Sequence, residues 1–160
     1  MKALLTILVV DDSPNDLLMT RMALTGLDPP PAVLTARDGA EALDLLYQRG
    51  ESRNSVQAQP HLVLLDLKMP RVDGFEVLER IKNDPRLKPL PVIVFTSSRE
   101  DGDVLRCYEL GANAFVVKPV DFQAFLAAVK VIVSFWGALN EIPPSNRAGD
   151  CTNDRLAGVA

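Results

Sequence analysis

Five short runs of the chain are apolar at nearly every position: Leu4–Val10, Ala32–Ala36, Leu62–Leu65, Val92–Phe95 and Ala114–Val117. Unbroken runs rich in β-branched and aliphatic side chains predict strands covered on both faces. The segments between them are long enough to carry helices, as parallel crossovers require. Their starts are marked. Ser13-Pro14 puts a capping hydroxyl before a proline at the first helical position, where the missing N–H costs nothing. Asp38-Gly39-Ala40-Glu41 reads as a capping box ahead of Ala42, Leu43, Leu45 and Leu46. After Asp73-Gly74, the residues Phe75, Val77, Leu78 and Ile81 fall on one helical face, and Pro85 closes that helix. Ser97 or Ser98 is expected to cap the fourth helix, Gly111 to end it, and Asp121 to cap the fifth. Strict strand–helix alternation predicts an α/β fold, a doubly wound parallel sheet. Gly50–Pro60 is polar and reads as a loop; the stretch from Pro143 reads as a flexible tail.

A chain of 160 residues makes one domain of ordinary size. Hydrophobic residues at 48% and charged residues at 24% are a globular balance, so no disulfide or metal staple is needed for a core. The net charge of −4 argues against a sequence-independent grip on nucleic acid and gives no support for an anionic membrane surface. Cys107 and Cys151 belong to no metal or redox spacing and are read as reduced thiols of a cytoplasmic protein. Asp11-Asp12 interrupts the apolar N-terminus, which therefore reads as a strand and not a signal peptide. No apolar run approaches the ~18 residues of a membrane span.

In an open parallel sheet, ligands bind outside the carboxyl ends of the strands. The first strand ends in Asp11-Asp12, the third in Asp66, the fourth in Thr96 and the fifth in Lys118-Pro119. Each has an ordinary explanation alone: a helix cap for the acids and Thr96, a turn for Lys-Pro. Together they line one crevice. Three carboxylates within about 5 Å repel by roughly 3 kcal/mol per pair at an effective dielectric near 20, so a counter-charge is required. Lys118 supplies one positive charge and a divalent cation two more. The donors are all oxygens, without His or Cys, which favours hard Mg²⁺ over zinc.

The segments Val9-Val10-Asp11-Asp12, Leu64-Leu65-Asp66-Leu67-Lys68-Met69-Pro70 with Asp73-Gly74, Val94-Phe95-Thr96-Ser97, and Gly111-Ala112-Asn113-Ala114-Phe115-Val116-Val117-Lys118-Pro119 strongly resemble the receiver domain of two-component response regulators. The resemblance implies a flavodoxin-like (βα)5 fold with strand order 2-1-3-4-5. It implies that Asp66 is the phosphoacceptor for a sensor histidine kinase, with Mg²⁺ held by Asp11, Asp12, Asp66 and the backbone carbonyl of Lys68. Lys118 and Thr96 would act on the phosphoryl group. Thr96 and Phe115 would switch the face built from the fourth helix, fifth strand and fifth helix. The Lys118-Pro119 bond is expected to be cis. The side chains of Lys68 and Ser98 stand where family members vary, beside the path of the hydrolysing water. Such a protein catalyses only its own phosphorylation and dephosphorylation.

The receiver is expected over residues 1–142, with 143–160 a tail carrying no output domain, since no further periodic helices follow. The fifth helix is apolar on two stripes. Phe122, Phe125, Leu126, Val129, Val133 and Trp136 suit packing on the sheet; Ala124, Ala128, Val131, Phe135 and Leu139 face elsewhere. An outer helix of a doubly wound sheet exposes one face, so Val131, Phe135 and Leu139 predict a homodimer, the alternative being a tail folded over them. The long helix ending in Phe135-Trp136, with Ile142-Pro143 after it, resembles single-domain regulators paired with bacterial phytochromes, which makes a bacteriophytochrome kinase the expected partner. Two other classes fit less well. A phosphatase of the haloacid dehalogenase type wants a second acid two residues after its nucleophile, whereas Asp11-Asp12 are adjacent and Ser13 follows. A nucleotide-binding module wants a glycine-rich phosphate loop after a strand, and none is present. A receiver used as an unphosphorylated scaffold stays open, against the intact acidic set. His61 reads as a turn residue at the far edge of the sheet.

Overall fold

The computed structural model describes residues 4–48 and 59–144. Most of the polar loop expected at 50–60 and nearly all of the tail lie outside the described residues. The elements are β1 (Thr6–Val10), α1 (Pro14–Thr25), β2 (Ala32–Ala36), α2 (Gly39–Tyr47), β3 (Leu62–Leu65), α3 (Gly74–Asn83), β4 (Val92–Thr96), α4 (Asp101–Glu109), β5 (Ala114–Val117) and α5 (Phe122–Ser134). A π-helical turn, Phe135–Leu139, prolongs α5. All strand pairs are parallel, in the order β2-β1-β3-β4-β5 that the resemblance implied.

The central strands β1, β3 and β4 are buried along their whole length, whereas the edge strands β2 and β5 are mostly half-buried. Helices cover both faces, which is why the central strands read as unbroken apolar runs. On one face α1 and α5 contribute Leu17, Leu24, Phe125, Val129, Ile132 and Val133 to the core. On the other, α2, α3 and α4 contribute Leu43, Leu46, Phe75, Leu78, Ile81 and Cys107. Ser13, Asp38 and Asp121 accept the expected capping hydrogen bonds from Asp16, Glu41 and Ala124 N–H, and Asp73 accepts one from Glu76 N–H, satisfying donors that the first helical turn leaves without a partner.

Several expectations need correction. Neither Ser97 nor Ser98 caps α4; the helix starts at Asp101 behind Glu100, which makes no side-chain cap. The Ser98 hydroxyl instead bonds to Asp103 Oδ2 at 2.5 Å and accepts from Glu100 N–H at 3.4 Å, so it organises the loop that enters the helix. The cis peptide among the described residues is Asp28-Pro29, not Lys118-Pro119. The trans form is the ordinary preference of X-Pro bonds, by about 0.5–1 kcal/mol, and the long side chain of Lys118 reaches the strand ends from it. His61 is no mere turn residue. It is buried, its Nδ1 accepts Thr6 N–H at 2.9 Å, and its own N–H donates to Thr6 O at 2.8 Å, which joins β1 to β3 at the edge opposite the acids.

In α5 the sheet-facing stripe includes Ile132 and leaves out Phe122, which is exposed. Phe122–Leu139 is also an 18-residue helix with mean hydropathy 1.7, long and apolar enough by length and composition to cross a membrane. Gln123, Lys130 and Ser134 break it as a run in the sequence without lowering that average below a span's. Phe125, Val129, Ile132 and Val133 nevertheless pack into the core, so it is an integral helix of this fold.

Candidate functional site

The sheet register sets the site. Val10 pairs with Leu65, and the next residue on each strand is an aspartate. Asp66 N–H donates to Val10 O at 2.9 Å, and Asp11 N–H to Ala36 O at 3.0 Å, so both acids continue the ladder at the carboxyl edge. Thr96 pairs with Val117, and Lys118 N–H donates to Thr96 O at 2.7 Å, which places the lysine one step beyond the end of β5. Residues as far apart as Asp11 and Lys118, 107 positions, are thus brought to one rim by backbone pairing.

One carboxylate oxygen from each of Asp11, Asp12 and Asp66 lies within 4.8 Å of the others. Asp11 and Asp66 are only 4% and 8% exposed, while Asp12 faces solvent. The buried Lys118 ammonium bonds to Asp11 Oδ2 at 2.5 Å, to Asp16 Oδ2 at 2.7 Å and to Asp66 Oδ2 at 3.3 Å. The remaining oxygens of the two buried acids are held by backbone: Asp11 Oδ1 accepts from Ser13 N–H and Asp66 Oδ1 from Leu67 N–H. Burial pushes the Asp11 carboxyl up to about 6, against the lowering pull of the Lys118 hydrogen bond and charge. Burial works against the Lys118 charge too, but hydrogen bonds to Asp11 and Asp16 outweigh it and hold the ammonium above its ordinary value. One lysine does not fully offset the acids, and three hard oxygen donors at this spacing fit a divalent cation such as Mg²⁺ or Mn²⁺.

Thr96 is buried at the neighbouring strand end, and its Oγ1 accepts from Ser98 N–H at 3.3 Å. The Lys68 side chain is exposed. Phe115 is half-buried against the core on the α2–α3–α4 side. Val131, Phe135 and Leu139 are exposed on α5 and its π-helical extension, at 68%, 48% and 78%.

Residues 7–130 match the family profile of the response regulator receiver domain. The chain belongs to that family. This receiver is 39% identical over 130 residues to the response regulator Rcp1 of Synechocystis sp., the match spanning 81% of the chain and 87% of Rcp1. The crystal structure of the Mn²⁺-bound form of Rcp1 superposes with a TM-score of 0.81 at 38% identity, over 86% of this chain and 98% of that one. The phosphorylated cyanobacterial phytochrome response regulator RcpA gives a TM-score of 0.84 at 38% identity, over 88% and 99%. The bacteriophytochrome response regulator AtBRR gives 0.69 at 49% identity, over 87% and 99%.

Sequence reasoning overlooked Asp16 and its bond to Lys118. A signal was present: Asp16 lies one helical turn after Asp12, in the first turn of the helix that leaves the acidic strand end. It also overlooked Lys82, whose Nζ donates to Lys88 O, Leu90 O and Asn113 Oδ1 and ties the end of α3 to the turn before β5. Nothing local in the sequence marks that contact.

Proposed function

We propose that this receiver accepts a phosphoryl group from a sensor histidine kinase on Asp66, with Mg²⁺ as cofactor held by Asp11, Asp12, Asp66 and the Lys68 carbonyl. One observation carries the reading: Asp66 ends the central strand β3, nearly buried, with two further acids and an ammonium converging on it. The relatives add to it, since RcpA is described as phosphorylated and Rcp1 as Mn²⁺-bound.

An Asp66 oxygen attacks the phosphorus of a phosphohistidine; the new O–P bond forms as the N–P bond breaks and the imidazole leaves with its electron pair. A carboxylate nucleophile needs no general base. A cation held by Asp11, Asp12 and Asp66 would supply charge neutralisation between an anionic nucleophile and an anionic phosphoryl group. Lys118, whose ammonium lies 3.3 Å from Asp66 Oδ2, adds a further positive charge. Thr96 then exchanges its Ser98 contact for a phosphoryl oxygen, and Phe115 turns into the space left behind. Phe115 has no hydroxyl, so the face of α4, β5 and α5 reports the change by packing alone.

The kinase partner is of the bacteriophytochrome type, which the naming of RcpA and AtBRR as phytochrome and bacteriophytochrome regulators supports. The receiver unit occupies residues 1–142 and works in the cytoplasm. It pairs with a second copy through Val131, Phe135 and Leu139.

The test is intact mass after incubation with acetyl phosphate and Mg²⁺. Wild type gains one phosphoryl group and Asp66→Asn none. Labelling of Asp66→Asn would refute the assignment, and an unlabelled wild type that is still dimeric would favour an unphosphorylated scaffold.

A further inference from the structure

Lys118 carries three N–H donors, and each meets a carboxylate. Two of those acids, Asp11 and Asp66, belong to the strand-end cluster. The third, Asp16, comes from α1 and lies outside the three-carboxylate donor group. Its bond to the ammonium, at 2.7 Å, is shorter than the bond to Asp66, at 3.3 Å, so the lysine sits closer to Asp11 and Asp16 than to the nucleophile. The Asp16 side chain is about a quarter exposed, at 23%, so this charge-assisted bond is only partly screened by water.

A cation held by Asp11, Asp12 and Asp66 would compete with Lys118 for the carboxylates of Asp11 and Asp66. Asp16, outside that donor group, would keep its bond. A phosphoryl group on Asp66 then has to compete with Asp16 for the ammonium.

We propose that Asp16 is a positioning residue of the phosphoacceptor site: it parks the Lys118 ammonium in the resting receiver, so that phosphoryl capture requires the lysine to leave it. Asp16 thereby lowers the affinity of the site for a phosphoryl group and sets the balance between resting and activated forms. This inference rests on the assignment of Asp66 as phosphoacceptor.

The experiment measures the affinity of the Mg²⁺-loaded protein for beryllofluoride, a phosphoryl mimic, by ¹⁹F NMR titration. Wild type, Asp16→Asn, Lys118→Gln and the double variant are compared. Asp16→Asn is expected to bind about tenfold more tightly than wild type, the scale of one charge-assisted hydrogen bond given up. In the Lys118→Gln background the same substitution is expected to change affinity less than twofold, because the group it acts through is gone. Asp16→Glu, which keeps the charge, is expected to return the wild-type affinity. Equal affinity of Asp16→Asn and wild type, weaker binding, or the same tightening with and without Lys118 would overturn the proposal. Asp16→Ser provides the same comparison if the asparagine variant melts early. A wild type that takes up no beryllofluoride, or an Asp66→Asn variant that takes it up equally well, would overturn the phosphoacceptor assignment itself. The two failures are therefore distinguishable.

Discussion

At the scale of single residues, two positions far from each other test how the site edge and the opposite edge are built. Gly74, at the start of α3, lies so close behind Asp66 that a Cβ would stand 2.1 Å from Asp66 O and 2.7 Å from Leu67 Cα. Backbone atoms cannot give way as a flexible side chain can. Gly74→Ala is therefore expected to cost about 3 kcal/mol or more in chemical denaturation, the range of strained buried substitutions, and to disturb Asp66 directly. At the other edge, burial holds the His61 imidazole below its ordinary value, and protonation of Nδ1 would remove the acceptor used by Thr6 N–H. The unfolded chain takes up that proton first as pH falls below about 6.5, so His61 contributes stability that is present above this pH and lost below it. His61→Asn, whose Oδ1 can accept from Thr6 without titrating, is expected to flatten the stability curve between about pH 7 and 5 relative to wild type. Equal slopes for the two proteins would count against this role.

At the scale of elements, α5 shows most clearly what a helical pattern can and cannot say. Its two apolar stripes are legible from residue spacing, but the side chains that enter the core, Phe125, Val129, Ile132 and Val133, were only partly assigned by it. Helical spacing gives faces to within one position; the crossing of α5 over the sheet and against α1 chooses between neighbours. The fully buried ring of Phe125, packed 5.1 Å from the Phe95 ring, is expected to cost about 3–5 kcal/mol on truncation to Ala. Val131→Ala is expected to change the stability of the isolated chain by less than about 0.5 kcal/mol, because its side chain is exposed. The entry into α4 is the other element-level lesson. A serine before a helix is a sound capping signal, yet Ser98 is engaged by Asp103 and the helix begins without a side-chain cap.

At the scale of the whole molecule, the crowded acids make metal binding and folding stability one problem. The burial that raises Asp11 to about 6 is a destabilising contribution at neutral pH, and a divalent cation would relieve it. Mg²⁺ at a hundredfold excess over its dissociation constant is expected to stabilise the fold by about 2.7 kcal/mol, read as a rise in Tm, and Asp12→Asn is expected to weaken that rise. An unchanged Tm across a Mg²⁺ titration would contradict a metal site at these acids. The exposed apolar side chains on α5 and its extension carry the assembly prediction. Phe135→Glu combined with Leu139→Glu is expected to turn a dimeric mass into a monomeric one in light scattering at micromolar protein, with folding retained because neither side chain is in the core. A wild type that is already monomeric would remove the basis for it.

What the sequence determined on its own was the set of strands, their class and the residues at their carboxyl ends. Apolar runs covered on both faces, capping residues and alternation are local properties, and a strand followed by an acid or a lysine is visible without coordinates. Asp11, Asp12, Asp66 and Lys118 were legible for that reason. The tertiary structure decided whatever depends on side chains meeting across elements: the seating of Lys118 against Asp16, the anchoring of His61 by Thr6, the turn of Ser98 away from its cap and the tie from Lys82 to Asn113. Those contacts join residues separated by anything from 5 to 102 positions, and their energies come from burial and hydrogen-bond geometry that no spacing rule along the chain encodes.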